Sequence, residues 1–169
     1  LDLILPLLGE IAFGVIGEPT GMRMAVAERG LMVLDCCSEG VSGHAARNEG
    51  VNAIYKAMED IEWFRTHRFE RVSDYLGEVR MSVTQIEAGT QHNVVPDSCH
   101  FVVDVRPNGM YSNPELLALI KESVSCRVKE RSTRIGSSHI DVSHPAVVRG
   151  RELGLESFGS PTTSNQALV

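Results

Sequence analysis

The chain has 169 residues, 43% hydrophobic and 22% charged, with a formal net charge of −6. That composition suits one or two small folded domains with a real core, and an acidic chain without a basic stripe excludes a nucleic-acid partner. The opening Leu1-Asp2-Leu3-Ile4-Leu5-Pro6-Leu7-Leu8 is apolar but short, lacks a basic leader and carries an acid and a proline, so it reads neither as a signal peptide nor as a membrane span.

In chain order, the apolar run Ile11-Ala12-Phe13-Gly14-Val15-Ile16 predicts a buried, parallel strand that ends on the turn Gly17-Glu18-Pro19-Thr20-Gly21. Met24 to Cys37 favours strand again, with Arg29-Gly30 as the junction. Ile54, Ala57, Met58, Ile61 and Phe64 recur at helical spacing and predict an amphipathic helix over residues 50–65. Val79, Met81 and Val83 alternate as a half-buried strand, as do Phe101, Val103 and Val105. A second helix starts near Asn113-Pro114-Glu115, where a capping acceptor, an early proline and an acid coincide, with Leu117, Ile120, Val124 and Val128 as its buried stripe. Residues 132–137 complete the order strand, helix, strand, strand, helix, strand.

That order defines the fold class as α+β, a ferredoxin-like split βαβ sandwich. The sandwich occupies residues 24–138 as an insertion, and residues 1–23 and 139–169 are partial segments of an α/β domain. The connectors near residues 21–30 and 136–143 are candidate hinges. Cys36, Cys37, Cys99 and Cys126 lack C-x-x-C spacing, and Cys36 and Cys37 point to opposite faces of a strand. They read as reduced thiols of a cytoplasmic protein.

The most informative stretch is Gly40-Val41-Ser42-Gly43-His44-Ala45-Ala46, followed by Gly50-Val51-Asn52-Ala53. It displays a histidine where a strand breaks on glycines, able either to cap a loop or to donate a hydrogen bond to a developing negative charge.

Four motifs in order, Gly17-Glu18-Pro19-Thr20, Ser42-Gly43-His44-Ala45-Ala46, Gly89-Thr90-Gln91-His92-Asn93-Val94-Val95-Pro96 and Asp104-Val105-Arg106, give the chain a resemblance to a family. It resembles the dinuclear-zinc deacylases and peptidases that include acetylornithine deacetylase and succinyl-diaminopimelate desuccinylase. The resemblance implies a catalytic domain with two zinc ions per subunit, an inserted lid that forms a homodimer, and an N-acylated amino acid as substrate. Carried over by motif, Glu18 is a metal ligand. His44 is the catalytic histidine that reaches the other subunit's site and stabilises the oxyanion there. Asn93, Arg106 and Thr163 are substrate-binding. Read from residues alone, Glu18 fits a plain turn better than a metal ligand, and Arg106 fits a surface strand end as well as a carboxylate grip.

The family's H-x-D motif, its Glu-Glu pair and its last metal histidine have no counterpart here. His139-Ile140-Asp141 has the right spacing but follows the lid, in a serine-rich connector that reads as a solvated loop. Glu59-Asp60 is an acidic pair read on the outer face of a helix, and Asn165 stands where relatives carry aspartate. The expectation is a fragment of a zinc-dependent amidohydrolase, most simply acetylornithine deacetylase, that is inactive alone and does not stably hold the zinc pair. The alternatives are a desuccinylase-like enzyme, a non-catalytic dimerisation module and a small-molecule sensor; a membrane partner is not expected.

Overall fold

The structure, a computed structural model, describes residues 14–164 together with Leu7 and Glu10. The first half of the expected first strand, Ile11 to Phe13, lies outside the described residues. Gly14 to Ile16 form no strand, and Val15 is 86% exposed.

Two sheets organise the molecule. The larger is antiparallel, in the order β4(Arg80–Ala88), β6(Ser98–Arg106), β2(Met32–Glu39), β7(Arg127–Glu130). Helix α1(Ala53–Thr66) links β2 to β4, and α2(Asn113–Ser123) links β6 to β7. Each helix therefore joins two strands that run the same way with one strand between them, which is the split βαβ arrangement expected. Alternation explains the sheet: Met32, Leu34 and Cys36 of β2 and Phe101, Val103 and Val105 of β6 point into one core with Phe64, Leu116 and Ile120 from the helices. Burying each large apolar side chain stabilises the domain by about 1.5–3 kcal/mol.

Helix α1 starts where the Asn52 side chain accepts the Ile54 N–H at 2.9 Å, and its stripe is Ala53, Ala57, Asp60 and Phe64. Met58, expected in that stripe, is 58% exposed. Asp60, expected outside, is buried. The N-terminus of α2 is capped by Ser112 rather than Asn113, in a reciprocal capping box with Glu115. Asn113 is buried and its amide donates to the Thr133 and Ile135 carbonyls at 3.0 and 2.9 Å. Val124 caps α2 and Val128 lies in β7, so neither belongs to the helix. The last strand of this sheet in chain order is β7, not residues 132–137. Arg127 and Lys129 point to solvent while Val128 alone turns inward, and the 132–137 stretch forms no strand, its one ladder contact being the bridge from Leu31 to Ile135.

The second sheet has three strands in the order β8(Ser138–His139), β1(Met24–Glu28), β9(Ser157–Ser160). Strand β1 is antiparallel to β8 and parallel to β9, and α3(Pro145–Glu152) packs on it, with Gly150 against the Met24 side chain. Both stretches taken as hinges thus contribute strands that pair with each other, Ala27 with His139 and Glu28 with Ser138. Met24–Glu28 belongs to this sheet and not to the four-stranded one.

Candidate functional site

The glycine-rich segment after β2 folds into a closed loop because its ends bond to each other: Val41 and Val51 exchange N–H to carbonyl bonds, both 2.8 Å. Glycine is required inside it. A β-carbon on Gly43 would collide with the Glu49 carbonyl, and Gly50 has φ +87°. The loop carries β3(Gly43–His44), which pairs with β5(Val94–Val95), Gly43 opposite Val95 and His44 opposite Val94. The Ala45 N–H donates to the Asn93 carbonyl at 3.0 Å. Two sequence-predicted site residues, His44 and Asn93, are therefore adjacent on one ribbon although 49 positions apart in sequence.

His44 is exposed, and its Nδ1 accepts the Ala46 N–H at 3.2 Å. That bond assigns the neutral ring the tautomer with its proton on Nε2, a donor facing solvent. Beside the ribbon lies an open groove of about 450 Å³, lined by Ala45, Asn52 and Ile54 at the start of α1, by residues 88–92 and by Val94 to Pro96. The connector between β4 and β6 is a wall of this groove, which its length had marked as more than a hairpin turn.

The other predicted residues lie elsewhere. Arg106 ends β6, and its Nε and Nη2 form a two-point ion pair with Asp104 at 2.7 and 3.0 Å. The Thr163 hydroxyl donates to the Arg29 carbonyl at 2.7 Å, and the Arg29 side chain in turn donates to the Arg106 carbonyl at 3.1 Å. Arg106 and Thr163 are thereby linked through Arg29, a residue that sequence reading marked only as a junction. Ser164 follows Thr163 and donates from N and Oγ to the buried Glu28 carboxylate at 3.1 and 2.7 Å; Asn165 lies outside the described residues.

Glu18 is exposed, and its backbone carbonyl accepts the Thr20 N–H at 2.8 Å. Among the described residues no three His, Cys, Asp or Glu side chains cluster closely enough to hold a metal ion. Glu18 alone offers one carboxylate where zinc takes four donors, so these residues do not build a zinc site by themselves. His139 is an exposed end of β8 rather than loop, and His144 caps α3 through Nδ1, accepting the Ala146 N–H at 3.2 Å. The four cysteines form no disulfide.

Residues 26–131 match the model of the peptidase dimerisation domain. The chain belongs to that family. Similar curated proteins are a succinyl-diaminopimelate desuccinylase of Cereibacter sphaeroides, 26% identical over 73% of this chain and 34% of its own length, and an acetylornithine deacetylase of Myxococcus xanthus, 28% identical over 59% and 28%. The chain thus spans about a third of the length of the curated relatives it matches. Among solved structures, aminopeptidase PepT from Bacillus cereus superposes with a TM-score of 0.67 at 17% identity, covering 87% of this chain and 42% of its own. A putative amidohydrolase/peptidase from Burkholderia cenocepacia gives 0.62 at 22% identity, covering 89% and 40%. At these identities the dimerisation domain shares its fold with them. No described helix is long and apolar enough to cross a membrane.

Proposed function

We propose that this chain is the lid and dimerisation part, with flanking catalytic-domain segments, of a cytoplasmic metal-dependent amidohydrolase that removes the acyl group from an N-acylated amino acid. Acetylornithine is the substrate in the first reading. Several relatives named succinyl-diaminopimelate desuccinylase favour the second, N-succinyl-diaminopimelate. The observation that carries the reading is the ribbon that holds His44, its Nδ1 occupied and its Nε2–H free, beside Asn93 at the edge of the groove.

In this proposal the four-stranded sheet with its two helices is the lid, and β1, β8, β9 and α3 belong to the flanking domain, so the chain crosses between them at Arg29-Gly30 and again near Gly136-Ser137. The reaction adds water to the acyl carbonyl and releases a carboxylate and a free amine. His44 acts in the partner's site, where its Nε2–H donates to the oxyanion; losing one such donor costs about 10²–10³-fold in kcat. Asn93 positions the acyl group. Arg106 receives the substrate carboxylate on its Nη1, which Asp104 leaves unused, and Thr163 holds the returning loop against the substrate. Zinc, two ions per subunit, belongs to this proposal, with Glu18 as one ligand and the others supplied by further parts of the enzyme. The subunits pair through α1 and the edge strand β4.

The test is an assay of the full-length enzyme against a panel of N-acyl amino acids. Hydrolysis of N-acetylornithine above the other members supports the first reading, and hydrolysis of N-succinyl-diaminopimelate the second. No hydrolysis of any member by metal-loaded dimer would contradict both.

A further inference from the structure

Arg29 is 3% exposed and stands at the crossing between the two sheets. Among the described residues no carboxylate pairs with it. Its guanidinium donates instead to three backbone carbonyls of the four-stranded domain: Leu76, Glu78 at 2.8 Å and Arg106 at 3.1 Å. Its own backbone faces the other way. The Arg29 N–H donates to the Ser160 carbonyl at 3.2 Å, and its carbonyl accepts the Thr163 hydroxyl at 2.7 Å. The neighbouring groups lean on the same point: Gly30 N–H bonds to Ser137 Oγ at 3.0 Å, and Gly159 of β9 lies so close to the Tyr75 carbonyl that a β-carbon would collide with it.

A charge held out of water by carbonyls alone is costly, and removing it strands those carbonyls without donors. Burial, with Arg80 and Arg106 nearby, pulls the guanidinium below its usual pKa range, yet arginine stays charged at neutral pH. A capping role within one domain explains the three side-chain bonds. It does not explain why the same residue also receives Thr163 and bonds to β9.

We propose that Arg29 is a positioning residue that fixes the four-stranded sheet in one orientation against the three-stranded sheet. It joins Leu76, Glu78 and Arg106 on one side to Ser160 and Thr163 on the other. Its catalytic consequence, the placement of Arg106 relative to Thr163, rests on the hydrolase reading above; the mechanical claim does not.

The test uses the 169-residue chain, isotope-labelled in a dilute aligned medium, with residual dipolar couplings read for amides of β2 and β6 and of β1 and β9. In the unchanged chain one alignment fits both sheets. Arg29→Met loses that common alignment while the β2 and β6 amides keep their chemical shifts. Arg29→Lys keeps the charge but reaches fewer carbonyls, so it loses the common alignment in part and preserves the fold if the methionine variant does not. Two alignments in the unchanged chain, or a common alignment retained in Arg29→Lys, would overturn the proposal. Neither result depends on activity, so failure here is separate from failure of the hydrolase reading.

Discussion

His44 lies directly opposite Val94 across a two-residue ribbon, and the loop on each side of the ribbon is tied to the other by the Ala45 N–H bond to the Asn93 carbonyl. The histidine is therefore placed by a closed frame and not by a freely moving loop. A β-carbon at Gly43 would strike the Glu49 carbonyl within that frame. Gly43→Ala should open the loop locally. The Val41 and Val51 amides would lose hydrogen-exchange protection equivalent to about 1–3 kcal/mol, and the β2 and β6 amides would keep theirs.

Much of this architecture is legible in the sequence for a simple reason. Period-two runs such as Phe101-Val102-Val103-Asp104-Val105 and the Ala53, Ala57, Phe64 stripe record burial on one face directly. Strand β7 is hidden because Val128 is its only inward residue between charged neighbours. Asp60 departs from the expectation that acids face water, because α1 turns it toward the backbone where α2 ends and β7 begins. The membership of β1 in the smaller sheet is set by contacts with residues more than 100 positions away, which no local pattern carries. His44 and Asn93 were found through their motifs. Arg29 gave no signal beyond its glycine neighbour, because its role lies in carbonyls supplied by three distant segments.

Asp60 accepts the Ser125 and Cys126 N–H groups at 2.8 and 3.0 Å from inside the core. Asp60→Ala would leave the half-buried Cys126 N–H without its acceptor, while the N–H of exposed Ser125 can turn to water, and should cost about 1–3 kcal/mol of stability. Urea unfolding monitored by far-ultraviolet circular dichroism measures this, and a loss below about 1 kcal/mol would show that water replaces the carboxylate.

The exposed apolar side chains Tyr55 and Met58 on α1 and Ile86 on the edge strand β4 form the surface assigned to pairing. Two-fold association through them covers an otherwise open sheet edge. Sedimentation equilibrium should show a dimer, and Met58→Glu with Ile86→Lys should give a folded monomer. A monomer for the unchanged chain at high micromolar concentration contradicts the pairing.

Two thiols, buried Cys99 and half-buried Cys126, should make the fold sensitive to alkali. A hydrogen bond with Cys36, together with burial, pushes the Cys126 thiol up, and burial with Cys37 nearby does the same for Cys99. A raised folded pKa contributes stability that is complete below the unfolded value of about 8.5 and is lost as pH rises above it, because only the unfolded chain releases the proton. Each thiol therefore steepens the loss of stability above that value, up to its own raised pKa. Under reducing conditions the urea midpoint should fall between about pH 7.5 and about pH 9.5, and Cys126→Ala should weaken the fall. An unchanged midpoint contradicts the assignment.

Subunit mixing of the full-length enzyme tests whether His44 serves the partner's site. His44→Ala subunits keep Glu18 but lack the donor, and Glu18→Ala subunits keep the donor but lack that ligand. After random exchange half of the dimers are mixed, and each mixed dimer has one complete site of two, so activity should recover to about a quarter of wild type. A mixture that stays as inactive as its parents, with subunit exchange demonstrated, would contradict action across the dimer.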